Sequence, residues 1–336
     1  MARPITVQVG PLTAPSANNI GTSQKAAGAQ ALVINGSTSD AAATAVCASQ
    51  TPSGAGALTI NGTMANSSSG SAVAYFAQPR RVYVTSAGND SGRTFTIAGT
   101  LNVISGPPVY VTETVTGANT SVVSTTKLFS SVTSVTISGA AAAAVTVGMN
   151  GVATLDSGRR VLFTPAGADS GISYTITGTD WNGNTINETL TGVDNPATAY
   201  TVLDYKTITG ITISGAAAST MTIGTNGIAS SPWVRMDNMG ALSTVGVQCA
   251  VSGTVNYTVQ ETFQDPNAVT NTVPPNTTEV TRASTVWSDF TDSAVVAATA
   301  TKIGITTNAP TFCRLTVNSN TNPAYVSATF IQNYLS

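Results

Sequence analysis

Histidine does not occur anywhere in the 336 residues. Because histidine is the usual acid or base near neutral pH and the commonest metal ligand, its absence removes whole reaction classes. No Ser-His-Asp or Cys-His nucleophile can be assembled, and no His-containing zinc site, which leaves carboxylate pairs or Ser-Lys pairs. Those need charged side chains, and Asp, Glu, Lys and Arg make up only 8% of the chain, against roughly 25% in an average globular protein. Lys127, Lys206 and Lys302 are isolated from one another and are not read as partners of a nucleophilic serine. No enzyme is expected, and neither a cofactor nor a metal ligand set.

Other shortages narrow the field further. The net charge is -2 and the pI about 5.0, so no basic stripe would draw the chain to nucleic acid. No uncharged apolar run reaches the 18 or so residues of a membrane span, so no membrane association is expected. Met1 to Leu12 alternates Ile5, Val7 and Val9 with polar residues and then meets Pro11. This lacks the continuous apolar stretch of an export signal, and the chain is expected to remain in a cytoplasm after synthesis. Cys47, Cys249 and Cys313 are too widely spaced for a metal site and are read as buried small hydrophobes, with a Cys249–Cys313 disulfide as the alternative.

What the chain does contain is alternation and repetition. Hydrophobic residues make up 42% of it, enough to exclude disorder. Arg80 to Thr100 (RRVYVTSAGNDSGRTFTIAGT) matches Arg159 to Thr179 (RRVLFTPAGADSGISYTITGT) at 13 of 21 positions. Glu-Thr-x-Thr-Gly follows at Glu113 and again at Glu188, and Val132 to Ala153 matches Ile208 to Ala229 at 13 of 22 positions. Within each copy the apolar residues fall at every second position, as in Val82 and Val84 or Phe95 and Ile97, the mark of half-buried strands. Ala87–Gly92 and Ala166–Gly171 read as hairpin loops, and Asn182-Gly183 as a tight hairpin turn. The alanine run Ala140–Ala144 reads as a connection between strands rather than a helix, because β-branched residues flank it and the second copy dilutes it.

The expected fold is all-β: tandem small β-sandwiches with an extended N-terminal arm. Residues 1–78 are read as that arm or a loosely built unit, carrying the short echoes ALVINGS (Ala31–Ser37) and ALTINGT (Ala57–Thr63). Residues 79–154 and 155–231 are the two repeats. Residues 232–336 form a C-terminal β domain, read as a diverged third repeat because Tyr257-Thr258-Val259 echoes Tyr174-Thr175-Ile176.

Asp90 and Asp169 recur at one place in the two copies, as turn-forming residues or as ligand contacts. Glu113 and Glu188 recur singly, so neither copy holds a catalytic pair. Arg80 and Arg159 open the repeats and are read as contacts between units or subunits, or as solvated junction residues. The copies differ most at Leu101–Thr112 and Asp180–Asn187. These unequal loops make Pro107, Pro108 and Tyr110, together with Trp181, Asn182, Gly183 and Asn184, candidate partner contacts.

The repeated AGNDSGRTFTIAGT…ETVTG…SVTISGAAAAAVTVG pattern, with its second copy, resembles Ig-like repeat segments in virion proteins of tailed bacteriophages. The resemblance spans Arg80 to Ala229 and implies a virion protein assembled in the host cytoplasm. It implies a homo-oligomer whose partners are the major capsid protein or other head or tail components. Capsid decoration through sheet edges and the N-terminal arm is the expected role. The alternative is a tail-fibre component or adhesin module in which Trp181 and Tyr205 stack on a receptor glycan.

Overall fold

The structure, a computed structural model, describes residues 4–66, 72–101, 108–237, 244–265, 285–321 and 323–333. Six strands precede the repeats: β1 (Ile5–Leu12), β2 (Gly21–Gln24), β3 (Gln30–Ala31), β4 (Ala42–Gln50), β5 (Gly56–Ala57) and β6 (Ala65–Asn66). The first repeat forms β7 (Val73–Arg80), β8 (Val82–Ser86), β9 (Thr94–Leu101), β10 (Val109–Thr116), β11 (Val122–Ser124), β12 (Phe129–Ile137) and β13 (Val145–Met149). The second forms β14 (Ala153–Pro165), β15 (Ser173–Thr179), β16 (Thr185–Thr191), β17 (Ala199–Tyr200), β18 (Tyr205–Ile213) and β19 (Met221–Ser230). The remainder forms β20 (Val234–Arg235), β21 (Thr244–Ser252), β22 (Val255–Thr262), β23 (Ser288–Asp289), β24 (Lys302–Thr306), β25 (Phe312–Asn320) and β26 (Ala324–Asn333). Among the described residues there is no α-helix, and the alanine run is an irregular connection between β12 and β13.

Three sandwiches share one plan. In the first, the sheet β10-β9-β12-β7 faces β11-β8-β13-β4; in the second, β16-β15-β18-β14 faces β17-β14-β19-β2. In the third, β23-β22-β25 faces β24-β21-β26-β1. The C-terminal region therefore has the topology of the repeats even where its sequence has drifted. Each sandwich has its own core: Val84, Phe95 and Val135 in the first, Phe163, Tyr174 and Ile211 in the second, Val247, Tyr257 and Leu315 in the third. The sandwiches are joined by continuous strand. β19 pairs with β14 inside the second sandwich, then pairs Ala229 and Ser230 with Val317 and Thr316 of the third.

The N-terminal segment is neither a free arm nor a separate unit, which corrects the expectation for residues 1–78. β1 pairs with β26, β2 with β19 and β4 with β13, so one strand completes the same sheet in each sandwich. The chain thus runs outward along all three sandwiches before returning to build them. The two echoes are equivalent pieces of this outward pass. Ala31 pairs with Thr212 in the second sandwich and Ala57 with Thr136 in the first. The Gln24 amide brackets Val33 as the Gln50 amide brackets Thr59. A two-stranded piece is not stable alone in water, and burial of Leu32 and Ile34, or of Leu58 and Ile60, is what fixes each one. Gly148 and its counterpart Gly224 mark where the outward pass crosses the returning strands. A Cβ at Gly148 would lie 2.6 Å from the Ala42 carbonyl oxygen, and one at Gly224 would fall on that of Ser16.

The loops Ala87–Gly92 and Ala166–Gly171 are not hairpins, contrary to expectation. Each is an arch, because β8 and β9 lie in different sheets, and the end of β14 pairs with β19 while β15 pairs with β16 and β18, the two stacking Phe163 on Tyr174 across the core. Burial of alternate residues on both strands against one core decides this, and the turn residues alone cannot. Asp90 and Asp169 stand inside the arches, fully buried. Each Oδ1 accepts the backbone N–H of a residue in the alanine connection, Ala142 at 2.8 Å and Ala218 at 2.9 Å. Asp169 also accepts the Tyr174 hydroxyl at 3.0 Å, whereas Phe95 stands at the matching place in the first copy. Asp169→Ala strands two buried donors and is expected to cost about 2–3 kcal/mol; Asp90→Ala strands one and should cost less. Equal shifts in the thermal unfolding midpoints of the two variants would contradict this assignment. The Asn182-Gly183 turn is a hairpin as expected, joining the paired strands β15 and β16 with Gly183 at φ +79.

Candidate functional site

The paired arginines at the start of each repeat lie at the junctions between sandwiches. Arg159 is 1% exposed. Its Nε donates to Asp156 Oδ1 at 2.6 Å, and its Nη2 donates to Asp156 Oδ2 at 2.9 Å and to the Thr13 carbonyl at 2.7 Å. Asp156 in turn accepts the Thr13 backbone N–H and hydroxyl, at 2.6 and 2.8 Å. Burial pushes the Asp156 carboxyl up, but the Arg159 and Thr13 bonds together outweigh it and hold the group below its ordinary value. At the other junction Arg80 Nη2 meets Asp40 Oδ2 at 2.5 Å, and Asp40 Oδ1 accepts the Val152 N–H at 2.7 Å. Both arginines therefore clamp the outward pass to the returning chain. They are contacts between units of one chain, one of the two readings that the sequence leaves open.

Arg160, the second member of the later pair, faces a cavity of about 300 Å³ between the second and third sandwiches. All three tryptophans of the chain line it, and all three are only half-buried. Trp181 comes from the β15–β16 turn, Trp233 from the residues before β20 and Trp287 from those before β23. The Trp181 indole N–H donates to the Ser230 carbonyl at 2.6 Å, and Lys206 Nζ lies 4.7 Å from its ring centre. Trp233 and Trp287 lie 6.1 Å apart, inclined by 40°. The Arg314 guanidinium stacks 4.3 Å over Trp287, with its Nε donating to Gln260 Oε1 at 2.9 Å.

Asp204 is the centre of charge. Its Oδ2 accepts the Ser230 hydroxyl at 2.8 Å and lies 3.6 Å from Arg314 Nη1. Its Oδ1 lies 3.7 Å from Arg160 Nε, and both of those atoms are buried without a hydrogen bond. Burial lowers the Arg314 guanidinium to about 10, so it stays charged at neutral pH. Glu188, close behind, is raised by burial even though it accepts the N–H groups of Val202 and Leu203.

The first junction supplies a comparison within the molecule. It has a cavity of similar size, about 260 Å³, lined by Arg81, Leu128, Asn150, Thr177 and Thr209 among others, with no tryptophan. Joining two sandwiches in this way therefore does not require indoles.

The other expected contacts scatter. Asn182, Gly183 and Asn184 are exposed at the hairpin tip, where the Asp180 carboxylate holds the turn by accepting the N–H groups of Asn182 and Asn184. Trp181 is a wall of the cavity rather than part of that tip. On the first sandwich Pro108 is exposed just before β10 and Tyr110 is exposed within it, and Pro107 lies outside the described residues. Tyr205, expected to stack on a sugar, is a fully buried core residue. Asp204, Trp233, Trp287 and Arg314 carry no motif in the sequence; the repeated Arg-Arg pair that contains Arg160 and the rarity of tryptophan are the available signals. The three cysteines are buried and unbonded, and burial pushes the Cys47 thiol up to about 12. Among the described residues no group of three or more Cys, Asp or Glu is placed to hold a metal, and no helix is long and apolar enough to cross a membrane.

No known protein family matches the chain, and no curated protein is similar to it. A solved structure from an archaeal virus, described as "The Triple Jelly Roll Fold and Turret Assembly in an Archaeal Virus", aligns over 85% of this chain and 88% of that one. The identity is 11% and the TM-score 0.17, a superposition too loose to carry an argument.

Proposed function

We propose that this chain is a non-enzymatic structural protein of a tailed-phage virion, decorating or cementing the capsid as one of several identical copies. The observation that supports it best is the outer face of the third sandwich. Ile305 and Ile331 stand opposite each other across Gly246 on three neighbouring strands, and Ile303 lies beside them on the edge strand β24. These side chains are 50%, 48% and 72% exposed. β24 is the last strand of its sheet; the Ile305 N–H on its outer side is taken up by Asp292 Oδ2 at 3.2 Å, and the apolar face it carries is a surface on which another chain can pack. The strand β10 of the first sandwich is a sheet edge too, with Val109 and Tyr110 exposed, and an edge strand is a template for adding another chain. Sheet edges, and not the terminal segment, are therefore the means of assembly in this reading.

The test replaces Ile303 and Ile305 together by lysine. Both side chains face solvent, so the unfolding midpoint should barely move, while the protein should disappear from purified particles assembled in the host. Incorporation of the double variant at full occupancy would sink the sheet-edge reading. Absence of the wild-type protein from particles would sink the virion assignment itself. The tail-fibre or adhesin reading is kept because of the tryptophan-lined cavity.

A further inference from the structure

We propose that the cavity between the second and third sandwiches binds a neutral saccharide unit. This holds whether the protein sits on a head or a tail, and it does not rest on the sheet-edge reading. Three observations carry it. The first is the convergence of every tryptophan in the chain on one concave site, each only half-buried. Were these rings needed for packing alone, they would be covered, and the first junction shows that equivalent packing is achieved with leucine and threonine. Indole faces take up the C–H face of a pyranose while leaving its hydroxyls free to bond elsewhere.

The second observation is a buried donor and a buried acceptor side by side. Arg160 Nε and Asp204 Oδ1 lie 3.7 Å apart, too far to bond each other, and neither has another partner. An unbonded buried polar atom is costly. Neighbouring hydroxyls of a sugar satisfy both at once, one accepting from Arg160 and the other donating to Asp204. Gln260 also lines the cavity, but its amide is engaged with Arg314, Thr316 and Asp289; the exposed Asn182 adds an amide of the kind that recognises hydroxyls.

The third is charge. Asp204 lies between Arg160 and Arg314, and Glu188 stands behind them. The lining carries Arg160 and Arg314 against Asp180 and Asp204, with Lys206 over Trp181 and Glu188 close by; three cations against three carboxyl groups leave no surplus cation to hold an anionic sugar. Its size, about 300 Å³, lies at the small end of ligand pockets, which favours one or two sugar rings over a long chain.

Because all the tryptophans line the cavity, the intrinsic fluorescence of the full-length protein reports its occupancy. Glucose, galactose, mannose and N-acetylglucosamine, each with its short oligomers, would be titrated alongside glucuronic acid as the acidic arm. The expected result is a saturable fluorescence change with at least one neutral sugar and none with glucuronic acid. Asp204→Asn, which cannot accept the same hydroxyl proton as a charged group, should weaken binding about tenfold or more. Trp287→Ala should weaken it comparably, and Trp287→Phe less. Unfolding curves matching the wild type establish that the variants remain folded; if Trp287→Ala does not fold, Asp204→Asn alone decides. The inference is overturned if no neutral sugar gives a saturable change, if glucuronic acid binds better than every neutral sugar, or if binding survives Asp204→Asn undiminished.

Discussion

Deleting residues 1–66 is expected to leave a chain that does not fold, although the sequence alone reads that segment as an extended arm or a loosely built unit. The outward pass contributes Ile20, Leu32 and Ile34 to the second core, all of them essentially inaccessible to water. At about 1.5–3 kcal/mol for each buried side chain, those three contribute roughly 5–9 kcal/mol, comparable with the whole stability of an ordinary domain. The first core loses Val46, Leu58 and Ile60, and the third loses Val9 and Leu12. Deletion also bares the edges of β13, β19 and β26, which invites aggregation. A graded series makes the prediction sharper. Removing residues 1–12 should loosen the third sandwich only, removing 1–39 the second and third, and removing 1–66 all three. Limited proteolysis with mapping of the fragments reads this directly. A soluble 67–336 chain that unfolds cooperatively at the wild-type midpoint would show that the outward pass is not part of the cores.

Arg159→Ala is the single substitution expected to do the most damage, about 3–5 kcal/mol. It leaves the Asp156 carboxylate, with 18% side-chain exposure, bonded to Thr13 alone with Lys206 as the remaining nearby cation, and it strips the Thr13 carbonyl of a charged donor. Thr13 lies where the outward pass moves from the third sandwich to the second, so the variant should free both β1 and β2. Hydrogen exchange of the β1 and β2 amides should rise well before that of β4, and equal rates across the three would refute the clamp. The same pair sets an acid limit. The folded-state pKa of Asp156 lies below its ordinary value, so its contribution is present above that ordinary value and is lost as the pH falls through the folded-state one. The wild type should therefore lose stability on acidification through this range, and Arg159→Ala should lose less there because most of the clamp is already gone. Glu188 runs the other way. Its raised folded-state pKa favours the native state at low pH and ceases to do so as the pH rises through that value.

The class of fold is legible in the order of residues alone. Alternation at Val82 and Val84, or at Tyr174 and Ile176, follows from the two-residue period of a strand against one core. It is local, so it survives without knowledge of partners, and the duplication is legible for the same reason. The Asn182-Gly183 hairpin was readable too, because a positive φ at Gly183 is a property of the turn itself. Three things were settled only by the tertiary structure. Whether Ala87–Gly92 joins two strands of one sheet or arches between sheets depends on which face each strand buries against a partner far along the chain. Where residues 1–66 lie depends on pairing β1 with β26 across the full length of the sequence, and no local signal reports such a register. The tryptophan-lined cavity depends on Trp181, Trp233 and Trp287 meeting at a junction, each supplied by a different connection. Short-range chemistry fixed the strands and turns, whereas long-range burial fixed which strands met, what the N-terminal segment completed and where the unsatisfied polar atoms of the cavity came to face each other.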